Sequence, residues 1–181
     1  LIGSSLSVQP PTYVDAVLSL TYSLDPKYKQ SDVTSSILST LSITYGYNAV
    51  SFKETIYPQD IEAVVNGLNG VKTARVTGLY RYGIPITSAA ASGTAITYTT
   101  SAPHGLSVGS TVTVTGFSPS GYNVTSAAVA TVADSTHFTV ASTQSSGTAT
   151  GTGAFTGYST LIGSANEIFR FQVSNINIGT M

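Results

Sequence analysis

Apolar and polar residues alternate from Tyr13 to Leu24, with Val14, Ala16, Leu18, Leu20, Tyr22 and Leu24 on one face and Asp15, Ser19, Thr21 and Ser23 on the other. A two-residue period of that length predicts a half-buried strand. Asp25-Pro26 breaks it. From Gln30 or Ser31 the spacing becomes helical, with Val33, Ile37, Leu38, Leu41 and Tyr45 recurring on one side. Ser and Thr are frequent in this segment and lower its intrinsic helicity, so the helix must rely on tertiary packing. Gly46 to Val50 reads as a turn.

The stretch Phe52 to Val76 joins a second helix to a strand. Pro58 suits a first helical turn, where its missing N–H has no intrahelical partner. Asp60 and Glu62 lie near the positive end of the helix dipole. Ile61, Val64, Val65 and Leu68 draw one apolar stripe, Gly70 is placed to close the helix, and Val71 to Tyr80 carries strand-forming residues. Near the end of the chain, alternation over Asn166–Val173 predicts a further strand with Phe169, Phe171 and Val173 toward the core.

Between these segments the character changes. From Ser88 to Gly157 the only formally charged residue is Asp134, and Ser, Thr, Gly and Ala dominate. Period-two pairs nonetheless recur: Ile96 with Tyr98, Val112 with Val114, Val129 with Thr131, and Phe138 with Val140. Turn signals separate them at Pro103-His104-Gly105, Gly109, Ser118-Pro119-Ser120-Gly121 and Asp134-Ser135. This pattern predicts a folded all-β module, a small barrel or a sandwich, with Gly147 to Gly153 supporting a weak closing strand. Tyr80-Arg81-Tyr82-Gly83 and Gly157-Tyr158 read as the two sides of one interrupted hairpin, since loop tips accept whole domains at small cost.

The expected fold class is therefore α+β: a two-layer helix-on-sheet frame carrying an inserted small all-β module. The division is a linker over 1–11, a discontinuous frame over 12–87 and 158–181, and an insert over 88–157. The chain starts at Leu1 rather than Met, which reads as a piece of a longer protein or a processed product.

Composition narrows the function classes. Charged residues are only 8% of the chain, but 41% are apolar, enough to bury a core and argue against disorder. A net charge of −1 without like-charge runs gives no footprint for nucleic acid or an anionic membrane. There is no cysteine, so disulfides and thiol chemistry are excluded. No apolar run is long enough for a membrane span, and no signal peptide is recognisable.

The run Val50-Ser51-Phe52-Lys53-Glu54-Thr55-Ile56-Tyr57-Pro58-Gln59-Asp60-Ile61, followed by Gly70-Val71-Lys72 and Val76, resembles the C-terminal region of baseplate J-like proteins. These are wedge subunits of contractile phage tails and related injection machines. The opening Tyr13-Val14-Asp15 strand and the closing Asn166-Glu167-Ile168 strand sit where that family's pattern has them. The resemblance covers about Thr12 to Tyr82 and the last twenty residues. Lys53 departs from it, because a small residue, often glycine, is usual there, and the insert is not a family-wide feature. Pro103 to Val112 looks like a β module recurring in phage virion proteins. The resemblance implies a structural virion protein of the tail baseplate, assembled in the host cytoplasm and joined to copies of itself and to other tail proteins. A homodimer held by uncharged contacts of the frame is the expected assembly.

Candidate chemistry is sparse, and no enzyme, cofactor or metal site is expected. His104, His137 and Asp134 supply three potential metal ligands, but at no known ligand spacing, and Asp134-Ser135 already reads as a turn. Asp60 and Glu62 are two apart on a helix and point to different faces, so they make a poor catalytic pair. Serines are plentiful but no Gly-x-Ser-x-Gly elbow joins a strand to a helix. Asn123-Val124-Thr125 matches a glycosylation acceptor, which a phage origin would leave inert. The alternative function is recognition of a host surface or glycan by the insert, with Tyr98, Tyr122 and Tyr158 as the ligand contacts.

Overall fold

The computed structural model describes residues 10–46, 49–51, 54–144, 146–163 and 165–181. The expected linker lies outside them except for Pro10 and Pro11, as do Phe52 and Lys53 of the family-like run and Tyr47 and Asn48 of the expected turn.

The first strand, β1 (Thr12–Leu24), buries Ala16, Leu18, Leu20 and Tyr22. The helix α1 (Gln30–Thr44) lays Val33, Ile37 and Leu41 against that face. No side chain caps its start at Lys29, but the Tyr22 hydroxyl lies 2.9 Å from Thr34 Oγ1, so the strand tethers the first turns. A short β2 (Thr55–Ile56) leads into α2 (Pro58–Asn66), which has Pro58 in its first turn and buries Ile61 and Val65. Each such aliphatic contributes roughly 1.5–3 kcal/mol of burial. The helix stops at Asn66, with Gly67 as its cap, rather than at Gly70. Gly70 takes φ +89° in the turn that follows, where a Cβ would come within 2.5 Å of Val33 Cγ2. The chain then runs through β3 (Val71–Arg81), β4 (Ile86–Ser92), β5 (Ala95–Thr100), β6 (Thr111–Thr115), β7 (Val124–Val132), β8 (His137–Ala141), β9 (Ser146–Thr148), β10 (Ala154–Tyr158), β11 (Leu161–Ile162) and β12 (Glu167–Thr180).

The strands form one mixed sheet of ten, in the order β12-β1-β3-β10-β6-β7-β8-β5-β4-β9, beside a separate β11–β2 pair. The chain is thus mostly β, and the expected two-layer α+β frame is corrected. Both helical patterns are real, but the two helices are minor additions to a sheet that runs on from the frame strands into the Ser/Thr-rich region. The link is β10, which pairs with β3 in parallel at Tyr158↔Leu79. A hairpin requires antiparallel partners, so Tyr80–Gly83 and Gly157–Tyr158 are not two sides of one hairpin. The segment between them is a long crossover.

That crossover curls into a closed β unit. β4 pairs with β5 and β9, β5 with β8, β8 with β7, β7 with β6 and β6 with β10. Ile86 and Gly153 then exchange both backbone hydrogen bonds at 2.8 Å, joining β4 back to the run that enters β10. Inside lie Ile86, Ile96, Tyr98, Val112, Val114, Phe138 and Val140, a hydrophobic cluster distinct from that of β1, β3, β12 and the helices. Thr131 faces outward, because an irregularity between Val129 and Thr131 shifts the register and turns Val132 inward.

A similar irregularity overturns one expected core position. While β1 advances from Ala16 to Leu18, its partner β12 advances from Phe171 to Ile176. The extra residues loop out, leaving Val173 57% exposed, while Phe169 and Phe171 stay buried.

Two polar arrangements hold the frame at its seams. On α2, Glu62 Oε1 accepts from the Val76 N–H at 2.8 Å, and Asn66 Oδ1 accepts from the Ala74 N–H at 2.7 Å. These side chains stand in for a neighbouring strand along the free edge of β3, a role for Glu62 beyond complementing the dipole. At the far end of β3, the Arg81 guanidinium makes a two-pronged bond to Glu167 on β12, at 2.9 and 2.8 Å, and also donates to the Ile162 carbonyl. Arg81 is buried, lies over the Phe169 ring, and has Gly105 of the closed unit against its Nε. Gly105 has φ +68°, and a Cβ there would come within 2.8 Å of that nitrogen.

Removing one member of this buried pair strands the other. Arg81→Met is expected to lower unfolding free energy by about 3–5 kcal/mol, and Arg81→Met with Glu167→Leu to recover most of the loss. Denaturant titration of both single variants and the double variant checks this; losses that simply add in the double variant would show that the pair is not coupled. A second expectation concerns the crossover. Because β3 and β10 are parallel, a two-residue turn cannot replace it, whereas a Gly-Ser loop of about six residues joining Tyr82 to Ser159 should leave a cooperatively folding frame. Non-cooperative melting of that deletion would show that the two clusters form one folding unit.

Candidate functional site

Tyr98 and Tyr122 are core residues of the closed unit. Tyr98 is fully buried, packs on Phe117 and Phe138, and donates to the Tyr122 carbonyl at 2.6 Å. Burial pushes its hydroxyl up to about 12. Tyr122 is buried beneath the β9 segment. Neither reaches a surface ligand. Of the three expected contacts, Tyr158 alone lines a surface cleft.

The candidate metal trio is not assembled. Asp134 forms a turn, its Oδ1 accepting from the Thr136 and His137 N–H groups at 2.7 and 2.9 Å, with His137 Nδ1 beside the same carboxylate. These bonds hold Asp134 well below the usual carboxylate range, the His137 side chain contributing most. His104 points inward instead. It is buried edge-on to Phe138, and its Nδ1 accepts from the Leu106 N–H at 2.9 Å. That bond requires the ring proton on Nε2, which has no partner of hydrogen-bond geometry. Among the described residues no group of three or more His, Asp or Glu side chains is placed to hold a metal. Asn123 is likewise structural: its side chain clamps Phe117, accepting from the N–H and donating to the carbonyl, both at 2.9 Å. Asp60 sits in the first turn of α2, while the Glu62 carboxylate on the same helix is bonded to the Val76 N–H of β3, so the two do not form a catalytic pair.

The cleft itself lies where β3 and β10 part. The strands share one register pair, Tyr158↔Leu79, and three residues earlier on β3, at Val76, the edge is already held by Glu62. The wedge between them is a trough of about 400 Å³ lined by Ser19, Thr77, Gly78, Tyr80, Thr111, Val112, Thr113, Ser126, Thr156, Gly157 and Tyr158. Gly78 and Gly157 stand at the closest approach; a Cβ on Gly157 would sit 3.3 Å from the Thr111 carbonyl oxygen. Ser126 is the one non-glycine residue with positive φ (49°) among the described residues, and its N–H donates to Thr113 Oγ1 at 3.0 Å. It sits at an irregularity of the β6–β7 ladder, between Val124 and Ala127. Beyond Tyr80 a second hollow of about 390 Å³ continues past Tyr82, Ile84 and Pro85, and at the other end Glu62 and Arg75 border the cleft.

Sequence reasoning missed this trough because its residues come from β1, β3, β6, β7 and β10, and only the parallel join brings them together. One local signal was present: Gly78 inside a strand pattern marks a close approach of backbone. Among the described residues the trough is lined by hydroxyls, glycine main chain and tyrosine rings.

The buried His104 sets a pH dependence. Burial, the largest cause, keeps its proton affinity below the ordinary value of 6.5 against an opposing pull from the Asp134 and His137 backbone. Above that value both folded and unfolded forms are neutral and stability is flat. As pH falls below it, the unfolded chain takes up a proton that the fold refuses, and stability declines until the lowered folded value is reached. Asp15 and Asp134, both lowered, add their own loss only in the carboxylate range. Melting midpoints should therefore fall between neutral and mildly acidic pH, and His104→Gln should flatten that slope; an unchanged slope would place the titration elsewhere.

No protein-family model matches this chain, and no curated protein matches it in sequence.

Proposed function

We propose that this chain is a structural subunit of a contractile-tail baseplate, a wedge piece that joins a second copy of itself through its frame and presents the closed β unit to neighbouring tail proteins of the virion. The observation that carries the reading is the outer edge of β12. Among the described residues this strand, Glu167–Thr180, stands last in the sheet order, and its later part, Ser174–Thr180, is the stretch in question. Natural edges are usually blunted by exposed charge or proline. Here Arg170 is engaged with Asp15 and Glu167 with Arg81, and Ser174–Thr180 carries neither charge nor proline. Identical edges pair antiparallel about a two-fold axis and bury each other's main-chain groups, which makes a second copy the fitting occupant.

The family-like run supports the same reading, since its described part forms β2, α2 and the start of β3, the elements that brace this frame. The scarcity of charge excludes a nucleic-acid partner from the proposal. No helix among the described residues is long and apolar enough to cross a membrane.

Sedimentation velocity over a concentration series, at low and high salt, is the test. A dimer that persists as salt rises is expected, because screening acts on exposed charge and little on buried main chain and apolar area. Val173→Lys with Asn177→Lys, both at exposed positions on β12, should return the monomer. A strictly monomeric parent chain at the highest concentration would sink the proposal.

A further inference from the structure

We propose that the trough between β3 and β10 is a binding site for a neutral oligosaccharide. Sugars present hydroxyls that both donate and accept, and apolar C–H faces that lie on aromatic rings. The trough supplies complements to both. Thr77, Thr111 and Thr156 are exposed on its walls, with Ser19 and Thr113 half-buried behind them. Hydroxyls rotate to suit a donor or an acceptor, which matches a polyol better than fixed charges do. Tyr80 and Tyr158 are half-buried, so their rings are fixed by packing while part of each remains open. Tyr80 is held against Phe155 at 6.4 Å between centroids, and Tyr158 packs on the frame cluster. Such amphipathic rings offer contact area at small entropic cost.

Two further features mark the place as built. Gly78 and Gly157 let the strands come close at the floor of the trough: a Cβ on Gly78 would sit 3.3 Å from Ser19 Cβ, and one on Gly157 3.3 Å from the Thr111 carbonyl oxygen. Ser126 holds an unfavourable left-handed backbone beside it, and strain of that kind and ladder irregularities cluster at functional sites. The volume of about 400 Å³ falls in the range of small-ligand clefts.

An extended peptide is the competing occupant. Strand addition needs a run of free main chain on one edge and alternating apolar pockets. The trough gives neither: β3 is already covered by Glu62 at Val76, β10 is paired with β6 along its length, and the lining is hydroxyl-rich. The site is also independent of the proposed dimer, because β1 and β3 separate it from the β12 edge.

Saturation-transfer NMR on the intact chain tests the proposal, with maltohexaose, cellohexaose and chitohexaose as probes and the Glu167–Thr180 peptide as the strand-forming comparison. At least one sugar should bind, with an affinity unchanged between low and high salt. Thr156→Lys, at an exposed position in the trough, should weaken binding by about tenfold or more. Thr125→Lys, beside a separate hollow of the closed unit, should leave it unchanged. Folding of each variant is checked by its melting curve. The proposal is overturned if none of the sugars binds, if both variants weaken binding equally, or if only the peptide binds at the trough.

Discussion

The paired bond between Arg81 and Glu167 sits where every part of the molecule meets. Arg81 ends β3, Glu167 begins β12, the Ile162 carbonyl belongs to β11, and Gly105 belongs to the closed unit. One guanidinium thus fixes the exit of the frame, the return of the chain and the approach of the crossover. A planar five-donor fork suits this better than a lysine, which would reach one acceptor at a time. Burial makes the arrangement sensitive to any missing partner. The same burial gives it directional control over how the two hydrophobic clusters face each other.

Around that junction, the two halves solve different problems. The frame has few strands and covers one face of them with helices, using Glu62 and Asn66 to occupy an edge that no strand reaches. The closed unit has almost no charge and removes its edges by joining β4 to the β9–β10 run. Its Ser/Thr-rich composition is therefore compatible with a packed interior: small outward residues alternate with Ile96, Tyr98, Phe138 and Val140 inside.

Much of the local structure was legible because periodicity and turn residues are local signals. The strand at Tyr13–Leu24, the helix through Val33, Ile37 and Leu41, and the helix opened by Pro58 all follow from spacing. What escaped was set by register and by distance in sequence. No pattern in Tyr80–Gly83 tells a parallel neighbour from an antiparallel one, so a hairpin was inferred where a crossover exists, and a layered frame where one sheet continues. Val173 matches its strand's alternation and is nevertheless exposed, because the ladder slips by several residues just before it. The tyrosines were visible as residues but not as places. Tyr98 and Tyr122 turn inward, whereas Tyr80, which lines the trough, lay inside what read as an ordinary strand.

The parallel pairing of β1 with β12 bears on the order of events during synthesis. Thr12 meets Glu167, and Tyr22 meets Thr180, so the first strand finds this neighbour only when the last residues of this sequence have been made. The closed unit, by contrast, draws its ladder from residues 86–158 and has its partners in hand earlier. A growing chain therefore favours the crossover as its first stable body, with β1, α1, α2 and β3 waiting as an incomplete sheet. Pairings of such long sequence separation carry a loop-closure cost that local ladders do not. During that wait β1 lacks its β12 neighbour, and the edge it offers to other chains is the one that β12 covers in the finished frame.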